Sequence, residues 1–131
     1  MLKSFPIFKD QRGTLVPIDF NKLAFTPKRM FYIKNVPKNE ERGGHAHYNT
    51  KQVLVCIKGE VEITLDKGYS STKVTLKENE SVFVDSLIWD SQVYKTGHDI
   101  LMSICSTDHN ELDYIRDYKK FLETIGYEKK S

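Results

Sequence analysis

The feature that most constrains the fold is a succession of short segments in which apolar and polar residues alternate. Residues 60–66 show it clearly, because Val61, Ile63 and Leu65 alternate with polar residues before a hairpin turn at Gly68. An alternation of period two is typical of a strand with one buried face. About ten such segments follow one another, separated by turn residues. The pattern predicts an antiparallel β-sandwich or barrel.

The C-terminal part of the chain has a different period. Residues 110–124 carry apolar side chains at helical spacing, after a polar start at Asn110. The stripe consists of Leu112, Ile115, Tyr118, Phe121 and Leu122. We therefore predict one or two short helices packed on the barrel, followed by a frayed tail at residues 128–131. The predicted class is all-β with a short C-terminal helical segment.

Length and charge narrow the class of protein. The 131 residues fit one domain, 1–131, without repeats or linkers. The net charge of +2 and the scattered basic residues argue against a nucleic-acid partner. No apolar run is long enough for a signal peptide or a membrane span, so we expect a cytoplasmic protein. Cys56 and Cys105 lie in apolar runs, which predicts buried thiols rather than a disulfide.

Two histidines stand one residue apart in Glu41-Arg-Gly-Gly-His-Ala-His47. On a strand, residues i and i+2 point to the same face, so His45 and His47 would share one space. The run of five apolar residues at 53–57 predicts a buried strand behind them. Two inward imidazoles are metal ligands, acid–base groups or hydrogen-bonded core residues, and the pair alone does not decide among these.

The residues that follow favour acid–base chemistry. His45, His47, Gln52 and Gly59 have the spacing of the cupin signature, but glutamine stands where the acidic metal ligand is usual. By the same spacing, Asp90 takes the place of a third histidine. A neutral amide is a weak ligand for a divalent cation. Histidines without a metal titrate near neutral pH and can transfer protons, so we expect no metal, although Asp90 could restore a carboxylate.

Several motifs together resemble the sugar-nucleotide 3,4-ketoisomerases, the FdtA, QdtA and WxcM-like group. They are Arg42-Gly-Gly-His-Ala-His47, Gln52-Val-Leu-Val-Cys56, Trp89, Asp113-Tyr-Ile-Arg-Asp-Tyr118 and Phe121-Leu122. The resemblance covers nearly the whole chain. It implies a cupin-type jelly-roll barrel, a homodimer and catalysis without metal or other cofactor.

The resemblance also implies a reaction, the movement of the carbonyl of dTDP-4-keto-6-deoxyglucose from C4 to C3. A base would remove the acidic proton at C3 to give an enediolate, which is then reprotonated at C4. The product would serve the synthesis of dTDP-3-amino-deoxysugars for lipopolysaccharide or another surface glycan.

Three residues are carried over as catalytic. The resemblance implies that His47 is the base at carbon and that His45 shuttles a proton or binds the sugar oxygens. Tyr32, on a predicted strand over residues 28–36, is the candidate donor to the keto oxygen.

Five further residues are carried over as substrate-binding. Arg42 would bind the diphosphate, because a guanidinium fork suits phosphate, and Arg12 is a second candidate. Gln52 would hydrogen-bond a histidine or the sugar, Trp89 would line the pocket, and Asp90 would orient a histidine. Tyr114, Ile115 and Tyr118 are interpreted as packing residues.

Different functions on the same fold stay open at this point. A deoxysugar-nucleotide epimerase would pair its histidine base with an aspartate and a tyrosine acid, a set not found at the expected places. A metal-dependent cupin and a non-catalytic sugar-nucleotide-binding cupin are also compatible with the predicted fold. Neither the configuration of the product at C4 nor the nucleotide base follows from individual residues.

Overall fold

The alternating segments form two five-stranded antiparallel sheets in the computed structural model, which describes residues 2–126. The all-β prediction is therefore confirmed, with twelve strands in the described residues. The strands, in chain order, are β1 (Leu2–Ser4), β2 (Phe8–Asp10), β3 (Gly13–Leu15), β4 (Arg29–Lys34), β5 (Glu41–His47), β6 (Gln52–Lys58), β7 (Glu60–Asp66), β8 (Ser71–Lys77), β9 (Glu80–Val84), β10 (Trp89–Tyr94), β11 (Ile100–Cys105) and β12 (Tyr114–Ile115). The helix α1 is Tyr118–Thr124, and 3-10 turns span Phe20–Lys22 and Glu111–Asp113.

Non-consecutive strands lie side by side in both sheets, as in a jelly roll. The first sheet has the order β1-β9-β6-β11-β4, and the second has the order β12-β5-β10-β7-β8. The hydrophobic core fills the space between them. Its buried members include Leu54, Cys56, Val61, Ile63, Leu76, Val82, Tyr94 and Leu101. Cys56 and Cys105 are both free and buried, as predicted.

The first hairpin stands apart from these sheets. Strands β2 and β3 pair only with each other, with Phe8 opposite Leu15. Arg12 lies at the turn, where its side chain is exposed and makes a 2.8 Å ion pair with Asp10. This arm leaves two large apolar side chains, Phe8 and Leu15, in contact with solvent.

The C-terminal segment is less helical than predicted. Between residues 110 and 126, only α1 is a helix of more than one turn. The residues before it form a 3-10 turn and the short strand β12, which pairs with β5. Leu112, a member of the predicted stripe, is 86% exposed. Phe121 is fully buried against Ala46 and Ile115, and this second cluster attaches α1 to the outside of the second sheet. The predicted frayed tail at residues 128–131 lies outside the described residues.

None of the helices in residues 2–126 has the length and apolar character that a membrane crossing needs.

Candidate active site

Strand β5 places His45 and His47 on its inner face. Ala46, between them, points the other way into the cluster beneath α1. The two imidazole rings are perpendicular, with their centroids 5.2 Å apart. The shared face predicted from the i, i+2 spacing is therefore present.

A cavity of about 210 Å³ lies between the two sheets, and His45 is the one of the two histidines that lines it. Both sheets contribute to its wall, which consists of Phe31, Ile33, Arg42, Gly43, His45, Gln52, Leu54, Gln92, Leu101, Ser103, Tyr114 and Arg116. Gly43 has a φ of 84°, and a Cβ there would lie 3.0 Å from the Gln92 amide nitrogen. Glycine thus lets β5 approach β10 at the cavity wall.

His47 is held by a carboxylate from the C-terminal segment. Its Nδ1 lies 3.0 Å from Oδ2 of Asp113. Asp113 also accepts hydrogen bonds from the backbone N–H of Asn49, at 2.8 Å, and from the hydroxyl of Thr50. Burial opposes ionisation of Asp113, but these hydrogen bonds outweigh it and lower the pKa of the carboxyl group. A fixed carboxylate on one ring nitrogen leaves the other as the proton acceptor.

Burial keeps both imidazoles neutral near pH 7. It lowers the pKa of His45 to about 4. The positive charge of Arg116, and that of His47 whenever it is protonated, act in the same direction, and Glu111 acts against them. Burial also lowers the pKa of His47, although the hydrogen bond and charge of Asp113 act against it. Neutral imidazoles at physiological pH are able to accept a proton from a substrate.

Tyr114 is the tyrosine that lies beside the histidines. Its ring centroid is 4.3 Å from that of His47 and 5.2 Å from that of His45. The residue pairs with His47 across strands β12 and β5, so both side chains share a face. The interpretation of Tyr114 as a packing residue was incomplete, because the residue also lines the cavity.

Two arginines line the same cavity. Arg42, the predicted diphosphate ligand, comes from β5, and its side chain is exposed. Arg116 follows β12, makes a bidentate ion pair with Glu111 at 2.6 and 3.1 Å, and stacks over the ring of Tyr114 at 4.4 Å. Sequence reasoning missed Arg116 because the segment was assigned to a helix.

Gln52 and Asp90 face the interior. Within the described residues, neither of them makes a hydrogen bond to a histidine. Gln52 accepts a 2.8 Å hydrogen bond from Ser103. Asp90 accepts one at 2.7 Å from Gln92, whose carbonyl oxygen in turn accepts from Tyr94 at 3.2 Å. Burial raises the pKa of Asp90 to about 7. The prediction that Asp90 orients a histidine is corrected, because Asp113 does so.

Five predicted site residues are absent from the cavity wall. His47 and Asp90 are buried but do not line it, and the other three lie elsewhere. Tyr32 is 64% exposed on the outer face of β4, and it is Phe31 that points inward. Trp89 lies on the outer face of β10, where it packs against Phe121 beneath α1 at 5.7 Å. Arg12 is at the tip of the separate hairpin. For both Tyr32 and Trp89 the prediction chose the wrong face of the strand as the inward one.

Within residues 2–126, no three or more histidine, cysteine, aspartate or glutamate side chains are grouped in a way that could hold a metal ion. The expectation that the reaction needs none stays a prediction.

Comparison with known proteins gives one consistent family. The FdtA family model, described as WxcM-like, C-terminal, matches residues 1–126. A TDP-4-oxo-6-deoxy-α-D-glucose-3,4-oxoisomerase from Aneurinibacillus thermoaerophilus is 36% identical over 125 residues, which are 92% of this chain and 90% of that protein.

Two solved structures agree with this family. QdtA, a sugar 3,4-ketoisomerase from Thermoanaerobacterium thermosaccharolyticum in complex with TDP, has a TM-score of 0.91 at 30% identity, covering 96% of this chain and 93% of its own. A 3,4-ketoisomerase from Helicobacter canadensis also has a TM-score of 0.91 at 30% identity, covering 96% of both chains. The chain therefore belongs to the FdtA family of WxcM-like proteins.

Proposed function

We propose that this protein is a sugar-nucleotide 3,4-ketoisomerase that converts dTDP-4-keto-6-deoxyglucose into the 3-keto isomer. The observation that carries the proposal is the pair of histidines on one inner strand face, with their ring centroids 5.2 Å apart and His47 held by Asp113 at 3.0 Å. The relatives named for this activity match nearly the whole chain, which supports the same reaction here.

The site offers the groups that the reaction needs. The C3 proton is acidic because it lies next to the C4 carbonyl, and His47 removes it while the electron pair forms a C3–C4 double bond. Without a proton on the former carbonyl oxygen, the intermediate is the enediolate anion. When that oxygen takes a proton, the intermediate is the neutral enediol. Loss of the proton from O3 and delivery of a proton to C4 then complete the shift, so no redox equivalent is consumed. His45 and Tyr114, beside His47, are placed to donate to the sugar oxygens.

The two cavity arginines suit the diphosphate. Arg42 and Arg116 line the cavity on the side of β5 and β12. Guanidinium groups bind phosphate oxygens through paired N–H donors, which makes these residues the anion site of the proposal. Gln52 lies on the opposite sheet, where its amide is available to the sugar ring.

We also infer that two copies of the chain form a dimer. The hairpin of β2 and β3 and the outer face of β4 expose Phe8, Leu15, Met30 and Tyr32 by 60%, 65%, 61% and 64%. An isolated two-stranded hairpin is marginally stable in water, so packing on a second copy would stabilise it. The enzyme would act on cytoplasmic nucleotide sugars, and its 3-keto product would be aminated on the way to a lipopolysaccharide or other surface glycan.

The test is an NMR time course of dTDP-4-keto-6-deoxyglucose with the protein in deuterated water. We expect a 3-keto product to form, with loss of activity in His47→Asn because the base is removed. His98→Asn, a change to an exposed histidine in the β10–β11 loop, is the matched control and should retain activity. Substrate that stays unchanged with wild-type protein would contradict the assignment.

A deoxysugar-nucleotide epimerase is the second candidate. His47, Asp113 and Tyr114 form a histidine–aspartate pair beside a tyrosine, a set that the sequence did not reveal. In the same time course an epimerase would introduce deuterium next to a carbonyl that stays at C4. A non-catalytic binding protein would show neither a 3-keto product nor exchange.

A further inference from the structure

We propose that Gln52 is a further catalytic residue, whose amide donates a hydrogen bond to the sugar oxygen that becomes negative in the enediolate, and that Ser103 positions this amide. The inference rests on the proposed function, because it assigns a role within that reaction. It concerns the glutamine that stands where the cupin signature usually has an acidic metal ligand.

Gln52 and Ser103 form a buried pair on the inner face of the first sheet. Gln52 begins β6, Ser103 lies in the neighbouring strand β11, and the two residues are 4% and 1% exposed. The Ser103 hydroxyl donates to Oε1 of Gln52 at 2.8 Å. Its oxygen also lies 3.4 Å from Sγ of Cys105, but sulfur is only a weak acceptor. The hydroxyl proton is therefore better used on the amide oxygen than on the sulfur, which sets the orientation of the amide.

This orientation directs the amide nitrogen of Gln52 to the cavity. Nε2 makes no hydrogen bond within residues 2–126. In the same part of the chain, the one fully buried side-chain nitrogen or oxygen without a hydrogen bond is Nε of Arg29, so Nε2 of Gln52 is accessible. Because Gln52 lines the cavity and is otherwise buried, the space next to Nε2 is the cavity. Its N–H groups are available to a ligand there.

The size of the cavity suits the reacting sugar ring. At about 210 Å³ it is smaller than the pockets of roughly 300–1,000 Å³ that hold drug-sized ligands, so it suits one ring rather than a whole sugar nucleotide. His45 and Tyr114 line it from the second sheet, and Gln52 lines it from the first. A ring bound there lies between these aromatic side chains and the amide.

A neutral donor at this position stabilises the intermediate more than the substrate. Removal of the C3 proton forms the C3–C4 double bond, and the electron pair of the C4 carbonyl moves onto its oxygen. An N–H group binds this charged oxygen more strongly than the neutral carbonyl oxygen, which lowers the barrier to the enediolate. The carboxylate usual at this position would repel the same charge. Ser103 contributes because a donor that is already oriented needs no reorganisation as the charge develops.

The first experiment removes the donor. Gln52→Met keeps an unbranched side chain of similar length without an N–H group, and we expect it to lower kcat for dTDP-4-keto-6-deoxyglucose by about 100-fold or more. The dissociation constant of dTDP should stay unchanged, because dTDP lacks the sugar, and its binding also shows that the variant is folded. Gln52→Glu, which keeps the shape but replaces the donor with a carboxylate, should lower kcat at least as far.

The second experiment tests whether Ser103 acts through Gln52. Ser103→Ala should lower kcat by about 10-fold, the effect of one hydrogen bond. In the Gln52→Met background the same change should have no further effect on kcat, because no amide is left to orient. Ser71→Ala, the same change at an exposed serine of β8, is the matched control and should retain the kcat of its parent in both backgrounds.

The outcomes separate the inference from the proposed function. Wild-type kcat in a Gln52→Met protein that binds dTDP would overturn the role of Gln52, and if that variant does not bind dTDP, the kcat of Gln52→Glu decides the same question. Equal losses from Ser103→Ala in both backgrounds would overturn the positioning role, because a residue that only packs contributes independently of the amide. A wild-type protein without isomerase activity would sink the proposed function and the inference together, whereas an active wild type with an equally active Gln52→Met variant would sink the inference alone.

Discussion

At the scale of single residues, the inner face of β10 is polar where a sandwich strand is usually apolar. Asp90, Gln92 and Tyr94 form a buried hydrogen-bonded chain there. The Asp90 carboxyl has one hydrogen bond from Gln92, and burial raises its pKa to about 7. At this pKa the carboxyl group is mainly protonated at pH 5 and mainly ionised at pH 8, and its charged form is costly to bury.

The raised pKa of Asp90 predicts a pH-dependent stability. The folded state holds the proton more tightly than the unfolded chain, so this contribution is full below about pH 4 and is lost as the pH rises through about 7. Asp90→Asn keeps an acceptor for Gln92 and removes the charge. We expect it to stabilise the protein more at pH 8 than at pH 5, by a difference on the order of 2–3 kcal/mol in the free energy of unfolding.

Denaturant titrations of both proteins at the two pH values measure this difference. Asp108→Asn, the change of an exposed carboxyl, is the control and should show no such pH dependence. The same effect of Asp90→Asn at pH 5 and pH 8 would contradict the raised pKa.

Single residues also show what the alternation of side chains leaves undecided. In β4, alternation puts Met30 and Tyr32 on one face and Phe31 and Ile33 on the other. Both faces carry an aromatic and an aliphatic side chain, so hydrophobicity could not decide which one points inward. The inward face of the histidine pair was easier to predict, because the next strand is apolar throughout and the i, i+2 spacing itself puts both side chains on one face.

At the scale of elements, the segment after β11 differs most from its prediction. The stripe at helical spacing is real in α1, but before α1 the same apolar residues fall on a 3-10 turn and on β12. Strand β12 has two residues and exists because it pairs with β5. Such a strand has no periodicity of its own, and Asp113 is 66 residues from His47. The partner of the base was therefore not predictable from local patterns.

The stability of this segment depends on one side chain. A helix of seven residues is only marginally stable in isolation. In α1 the ring of Phe121 packs against the rings of Trp89 and Tyr118, with its centroid 5.7 Å from each, and so anchors the helix. Phe121→Ala should lower the free energy of unfolding by about 3–5 kcal/mol, because it leaves a cavity in a fully buried cluster. Chemical denaturation measures the loss. Leu112→Ala, on the same apparent stripe but exposed, should change it by less than about 0.5 kcal/mol. Equal effects would support the single helix instead.

At the scale of the whole molecule, the exposed apolar surface is concentrated on one hairpin and one strand. Both β2–β3 and the outer face of β4 contain large side chains that a solitary chain leaves in water. Single apolar residues scattered over a surface are normal. Phe8 and Leu15, however, are paired on a separate hairpin and form an exposed apolar patch, which we expect another protein surface to bury. In a symmetric dimer, the same surface of a second copy of the chain would bury this patch.

The proposed dimer predicts a specific response to changes in the hairpin. Phe8→Ser with Leu15→Ser removes the paired apolar side chains but leaves the backbone pairing of β2 and β3 intact. We expect wild-type protein to have twice the mass of one chain in light scattering, and the double variant to dissociate at micromolar concentration. Tyr69→Ser, at an exposed aromatic residue between β7 and β8, is the control and should remain dimeric. A monomeric wild-type protein would refute the dimer. A double variant that stays dimeric would refute the hairpin as the interface, because the two proteins differ only at Phe8 and Leu15.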